Sequence, residues 1–252
     1  MLLALDTGNS NLVAGLMDDN GNVVRETRTA TGELLTKDGA EKALEIFAEF
    51  SVSGCILCSV VPSADEPLIQ AVKDQFCVEV LRVGPDLDTG LTFNVKDPYT
   101  IGQDLIAGAV GAVSLYGAPA IIFDLGTAST CCLVGKGSVY EGHLIYPGIR
   151  TGLDAQAAHC AKLPDIDLVP PESFVGKTTL DAMNSGALYS NASMIDGLTR
   201  RARRELHDSN ITPVLTGGFA KLIAPLCEES VHLEEDLIPK GLFVLFEKNR
   251  TH

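Results

Sequence analysis

Two short stretches carry the residues best suited to chemistry. In "LLALDTGNSN", Leu2 to Asn11, an apolar run ends in Asp6-Thr7-Gly8-Asn9-Ser10 and then continues into more apolar sequence. In "AIIFDLGTAST", Ala120 to Thr130, the same junction returns as Asp124-Leu125-Gly126-Thr127-Ala128-Ser129-Thr130. Each residue type has a task if phosphate lies there. A glycine lets the backbone approach an anionic oxygen with no Cβ in the way, the role open to Gly8 and Gly126. Asn9 and Ser10, and Thr127 and Thr130 in the second copy, can donate hydrogen bonds. A carboxylate would repel phosphate, so Asp6 fits better as a holder of Mg2+ or its water shell, since that ion usually keeps several waters. Either stretch alone is also an ordinary polar hairpin turn. Two copies at equivalent places in a repeated order of elements point to a duplicated phosphate site. A third glycine turn, Thr216-Gly217-Gly218-Phe219-Ala220, follows the apolar "PVL" and opens a helical stretch. Such a junction suits a nucleotide, because a helix N-terminus favours negative charge and glycine permits close approach. The chain contains neither GxGxxG nor GxxxxGK[ST], so dinucleotide-fold and P-loop readings find no support.

The elements that must hold these junctions follow from the hydrophobic pattern. Leu2–Leu5, Asn11–Met17 and Val23–Thr29 read as strands, with Asn20-Gly21 marking the hairpin between the last two. "AEKALEIFAEF" has helical spacing at Ala43, Ile46, Phe47 and Phe50. "GCILCSVVP" reads as a buried strand stopped by Pro62, followed by a helix over Pro67–Gln75, a strand over Cys77–Val83 and a connector from Gly84 to Pro98. The second half repeats the order. A helix over Gln103–Tyr116 leads to a strand at Ala120–Asp124 and a hairpin from Thr130–Val134 through "GKG" to Val139–Tyr146. "YPGIRTGLDAQAAHCAKLP" reads as a loop and helix, "PPESFVGKTT" as a connector, Thr179–Leu206 as one or two helices, and "TPVLTGGFA" as strand, turn and helix. The expected fold is a mixed sheet with covering helices, built twice.

Bulk properties narrow the function. A chain of 252 residues with 46% hydrophobic content can bury a sizeable core. Its 19 basic residues against 33 acidic ones leave a formal charge of −14, which argues against a nucleic-acid surface. The only basic cluster, "RRARREL" from Arg200 to Leu206, contains Glu205 and reads as a solvated helix face. An odd count of seven cysteines suits a reducing compartment. Cys55 and Cys58 form a CxxC spacing, but residues three apart on a strand point to opposite faces, so core thiols are expected there and at Cys131 and Cys132. The N-terminus has no basic segment and no apolar run is long enough to span a bilayer, so a soluble cytoplasmic protein is expected.

Phosphoryl transfer asks for an aligned hydroxyl, neutralised phosphate charge and a carboxylate to receive the hydroxyl proton. Asp104 in "IGQDLIAGAVGAV" is the candidate base, with Gly102 giving backbone freedom before it; an aspartate there is equally well suited to capping the helix. The whole set resembles the acetate kinase, sugar kinase, heat-shock protein and actin superfamily. Within it, "LALDTGNSN", "SVVP", "VGPDLDTGL", "IGQD", "FDLGTAST", "YPGIRTGLDA", "GKTTLDAMNSGALY", "TGGFAKLI" and "GLFVLFEKN" resemble, in order, the type III pantothenate kinase family. That resemblance implies two duplicated ribonuclease H-like (actin-like ATPase) domains, each a mixed five-stranded α/β sheet with flanking helices, here set at residues 1–100 and 101–252. It implies ATP-dependent phosphorylation of pantothenate to 4′-phosphopantothenate at the start of coenzyme A synthesis. Asp104 would be the base, Gly102 and Gln103 would border the acceptor, and Gly217 and Gly218 would line the adenosine side. A monovalent cation, K+ or NH4+, would sit at Asp124. Thr179 would reach the acceptor across a homodimer, although a helix cap is the competing local reading.

The match breaks at two places. The family's arginine after the base, which binds the pantothenate carboxylate, is Leu105, and the tyrosine nine residues before the base is Val95. Loss of a bidentate guanidinium removes a charge-assisted contact worth roughly 1.5–3 kcal/mol. Lys96 or Arg150 could supply the missing charge. Two other functions stay open on this sequence: a kinase for another small hydroxylated molecule, and a catalytically weak nucleotide-binding regulator.

Overall fold

The computed structural model describes residues 1–250. The chain divides into two units, Met1–Leu115 joined by the chain from Asp236 onward, and Tyr116–Glu235. In the first unit the strands are β1 (Leu2–Thr7), β2 (Asn11–Met17), β3 (Val23–Ala30), β4 (Gly54–Ser59), β5 (Val80–Arg82) and the short β6 (Thr92–Phe93), and the helices are α1 (Lys37–Leu44), α2 (Pro62–Phe76) and α3 (Gln103–Tyr116). The sheet order is β3-β2-β1-β4-β5, with β1, β2 and β3 antiparallel and β4 and β5 parallel to β1. Gly21 closes the β2–β3 turn at φ 79°, and the Asp18 carboxylate accepts the N–H groups of Asn20 and Asn22 there. Those donors hold the Asp18 carboxyl below its ordinary pKa.

The second unit contains β7 (Ala120–Leu125), β8 (Ala128–Gly135), β9 (Val139–Pro147), α4 (Ile149–His159), α5 (Thr179–Glu205), β10 (Thr212–Thr216), α6 (Ala220–Ile223) and β11 (His232–Leu233). Its strands run β9-β8-β7-β10-β11, again three antiparallel and then two parallel to the first. The expected duplication is therefore present strand for strand.

Alternation along each first strand sets the layers. Leu3 and Leu5 point toward α1 and α2, where they pack with Ala40, Leu44 and Leu68. Ile121, Phe123 and Leu125 pack with Leu188, Ala192 and Ile195 of α5. The helix after β4 begins at Pro62 and not at Pro67, because proline is at ease in the first turn, where its missing N–H has no helical partner to lose. Thr179–Glu205 is one continuous helix.

The last helix, α7 (Leu237–Asn249), is an addition to the expected elements. It belongs to the first unit and packs on α3 at close range. A Cβ on Gly241 would overlap the Ala107 carbonyl, and one on Gly111 would lie 2.6 Å from the Leu237 carbonyl oxygen. Phe246 fills the space over Gly54, and Phe243 the space over Gly21. This seam explains why the first unit runs past the expected boundary at residue 100, takes in α3 to Leu115 and recovers the chain at Asp236.

Candidate active site

The two acidic junctions occupy the same place in the two sheets. In both β1 and β7 the aspartate is the fifth of six residues and the one only partly buried, its five neighbours being buried. Asp6 pairs in register with Val13 and Cys58, Asp124 with Thr130 and Thr216. Both aspartates lie on the sheet face opposite the large helical core, near the carboxyl ends of the parallel strands, where ligands of open α/β sheets bind. The following rung holds one buried hydroxyl in each unit, Thr7 opposite Leu12 and Ser129 opposite Leu125. Neither the Thr7 nor the Ser129 hydroxyl has a protein hydrogen-bond partner.

The turns themselves are stapled in matching ways. Gly8 N–H donates to the Asn11 carbonyl at 2.9 Å, and the Thr31 hydroxyl donates to the Gly8 carbonyl at 2.7 Å. In the second unit the Thr151 hydroxyl donates to the Thr127 carbonyl at 2.8 Å. Thr31 and Thr151 each follow the third strand of their unit. Sequence reasoning passed over both, because a threonine after a strand has no local signature of such a staple. Gly148, at the start of α4, acts at the same turn. Its Cβ would collide with the carbonyls of Gly126 and Thr127, so only glycine lets the chain cross under that turn. Asn9, Ser10 and Thr127 are exposed at the turn tips, and Thr130 and Gly126 are partly buried behind them.

Gly217 and Gly218 divide the work of the third turn. Gly217 adopts φ 90°, and a side chain there would strike the Asp124 carboxylate and the Leu125 backbone. A Cβ on Gly218 would meet nothing within 4 Å, which leaves the room a ligand needs for close approach. Asp124, Gly126, Thr127, Thr130, Gly217 and Gly218 are thus brought together in the second unit. The counterpart turn of the first unit is "SVVP", where Ser59 ends β4 and accepts the Val61 N–H on its hydroxyl at 3.1 Å.

Asp104 is the second residue of α3. One of its carboxylate oxygens accepts the Leu105 N–H at 2.8 Å, and the carboxylate lies so close over Gly102 that a Cβ there would collide with it. Gln103 reaches across to β4, where its Oε1 accepts the Ser59 N–H at 2.8 Å. Gly102, Gln103, Ser59 and the Val83–Leu87 segment line a cleft of about 500 Å³ within the first unit. Leu105 is buried in the α3 core at 7% exposure.

Thr179 is exposed and lines a separate cleft of about 480 Å³ between α4 and α5. It is not the helix cap. Thr178 is, exchanging hydrogen bonds with Asp181 in a reciprocal capping box. Arg150 is held by Asp154, Asp165 and the Ile166 carbonyl; these two carboxylates raise its pKa and offset its charge toward any further anion. Arg200 and Arg203 pair with Glu228 and Glu229.

No disulfide is formed among the described residues, and Cys55, Cys58, Cys131 and Cys132 are all buried, as expected of core thiols. Among the described residues no three His, Cys, Asp or Glu side chains converge as in a protein-only metal cage. Single carboxylates such as Asp6 and Asp124 suit an ion held mainly by phosphate and water. Among the described residues no helix is long and apolar enough to cross a membrane.

A sheet of this order built twice, with an acidic glycine hairpin in each copy, defines the class of actin-like ATPases and sugar kinases. Solved structures share the fold. A ROK family glucokinase from Streptomyces griseus in complex with glucose and AMPPNP has a TM-score of 0.54 at 13% identity, over 99% of each chain. A Baf family transcriptional activator from Campylobacter jejuni has a TM-score of 0.62 at 17% identity, over 97% of each chain. Within that class the family model described as type III pantothenate kinase matches residues 2–201. The type III pantothenate kinase of Shouchella clausii is 38% identical over an aligned length of 256 positions that covers 99% of this chain and 100% of the relative. The chain belongs to the type III pantothenate kinase family and is a kinase.

Proposed function

We propose that the chain transfers the γ-phosphoryl group of ATP to the 4′-hydroxyl of pantothenate, giving 4′-phosphopantothenate, the first step of coenzyme A synthesis. The observation that carries this reading is the full-length kinship with pantothenate kinases; a cleft of about 500 Å³ lined by Gly102 and Gln103, next to Asp104, supports it as a place for a small acceptor.

Asp104 is the base. Its carboxylate takes the proton of the attacking hydroxyl as the new phosphorus–oxygen bond forms and ADP leaves. Gly102 and Gln103 position that carboxylate and border the acceptor. Gly8, Asn9 and Ser10 from one hairpin, and Gly126, Thr127 and Thr130 from the other, hold phosphate oxygens, while Gly217 and Gly218 leave space for the adenosine side. Asp6 would hold Mg2+ through its water shell, and Asp124 a monovalent cation, K+ or NH4+; bound there, such ions neutralise phosphate charge. The functional unit is a homodimer in which Thr179, released from capping by Thr178, reaches the partner's acceptor site. The reaction takes place in the cytoplasm, where free thiols persist.

The test is ADP release with and without pantothenate, with the product identified by mass. Pantothenate-dependent ADP release with a matching phosphorylated product is expected. Turnover of ATP that ignores pantothenate overturns the reading.

A further inference from the structure

Leu105 leaves the acceptor's carboxylate without the guanidinium that the family places after the base, and the structure narrows what replaces it. Arg150 is consumed by its own carboxylates, and Lys96 is exposed and outside the cleft beside Asp104. Among the described residues lining that cleft, a single cation is present, Arg82.

Arg82 is the last residue of β5, paired in register with Leu57 of β4, at the carboxyl end of two parallel strands. Its Nη2 pairs with Asp65 Oδ2 of α2. The Asp65 side chain is 8% exposed and the Arg82 side chain 54%, so a buried carboxylate is paired with a half-exposed guanidinium on a residue that lines the cleft. The other Asp65 oxygen has no hydrogen-bond partner, so Arg82 is the side chain that pairs this buried carboxylate, and the pair holds the guanidinium at the start of α2. The guanidinium has five N–H donors in a planar fork, and no second protein group among the described residues bonds it. Such a fork is suited to a planar carboxylate. Asp86, on the same wall, accepts the Tyr99 hydroxyl at 2.6 Å, which moderates its repulsion of an incoming anion.

We infer that Arg82, pinned by Asp65, binds the carboxylate of the acid acceptor and takes over the task vacated at Leu105. The inference rests on the pantothenate kinase reading and names a specificity-determining residue within it. Pantothenate would lie along the cleft, its hydroxyl end toward Asp104 and its carboxylate toward β5.

The experiment compares pantothenate with pantothenol, in which a primary alcohol replaces the carboxylate, in the wild-type enzyme and in Arg82→Gln and Arg82→Lys. Wild type should prefer pantothenate. Arg82→Gln should raise the KM for pantothenate about 10- to 100-fold and erase most of that preference, and Arg82→Lys should recover part of it. Calorimetric binding of pantothenate without ATP should weaken in parallel. If Arg82→Gln fails to fold, Arg82→Gln with Asp65→Asn removes the stranded buried carboxylate and takes the same comparison. An unchanged pantothenate-to-pantothenol ratio in Arg82→Gln overturns the inference, since an arginine that only stabilises Asp65 would not read the acceptor's charge. A wild-type enzyme that uses both acceptors equally well also overturns it and leaves the kinase reading standing. Use of neither acceptor removes both.

Discussion

The carboxylate of Asp104 lies directly over Gly102, and the backbone bond to Leu105 N–H holds it there. A glycine two residues before an acidic residue is therefore a steric requirement of the acid's orientation as well as a source of backbone freedom. Gly102→Ala is expected to push the carboxylate off its seat and lower kcat by about 100-fold, the scale of an ångström-sized misplacement of a reacting group. Melting temperature should change little, because the cleft side of this glycine is open. Turnover equal to wild type would show that the observed rotamer has no part in the reaction.

Replacement of the same carboxylate by its amide tests the chemistry itself. Asp104→Asn keeps the hydrogen bond geometry but cannot accept a proton, and kcat should fall by about 10²- to 10⁴-fold. Nucleotide affinity, read by fluorescence of a labelled ATP, should stay near wild type. A variant that turns over normally would remove Asp104 from the mechanism.

Gly217 supports a second expectation, in the other unit. Its φ of 90° and the proximity of the Asp124 carboxylate leave no place for a methyl group. Gly217→Ala should lose about 1–3 kcal/mol of stability through backbone strain, measured by urea unfolding. It should also weaken ATP binding, because Asp124 must move. Gly218→Ala, which meets open space, should retain stability and lose only nucleotide affinity; equal destabilisation by both would contradict the division of roles.

Burial raises the Cys131 thiol from its ordinary 9.0 to about 12. Between those values the unfolded chain gives up this proton while the folded protein keeps it, so ionisation favours the unfolded state. The contribution is intact below pH 9 and is lost as pH climbs toward 12. Urea midpoints measured from pH 8 to pH 11 should fall, and less steeply in Cys131→Ala; parallel slopes would exclude this thiol as a source. Maleimide at pH 7.5 should meanwhile label the exposed Cys77 and Cys160 and spare the buried Cys55 and Cys131.

Much of the fold was legible because its signals are local. Alternating or continuous apolar runs gave β1, β2 and β7 to within two residues, and the boundaries of α3 were met at both ends. The duplicated acidic hairpins were visible as repeated residue types. The helix α7 was not, since "GLFVLFEKN" is too evenly apolar to show one buried face. Thr31, Thr151 and Gly148 were missed for a related reason: each acts on a carbonyl distant in sequence, and nothing in its own neighbourhood announces that.

The amino-acid sequence by itself determined the elements of the two repeats apart from α7, that the order occurs twice, and which residue types stand at the ends of the leading strands. Those features depend on side-chain periodicity and turn chemistry over a few neighbouring positions. Tertiary structure alone decided that Thr178 and not Thr179 caps α5, that Arg150 is spent on its own carboxylates, and that Arg82 stands at the cleft beside Asp104. Each of these depends on which charged or hydroxyl groups meet after chain segments far apart in sequence have packed, and a partner's position in space is not encoded in the residues on either side.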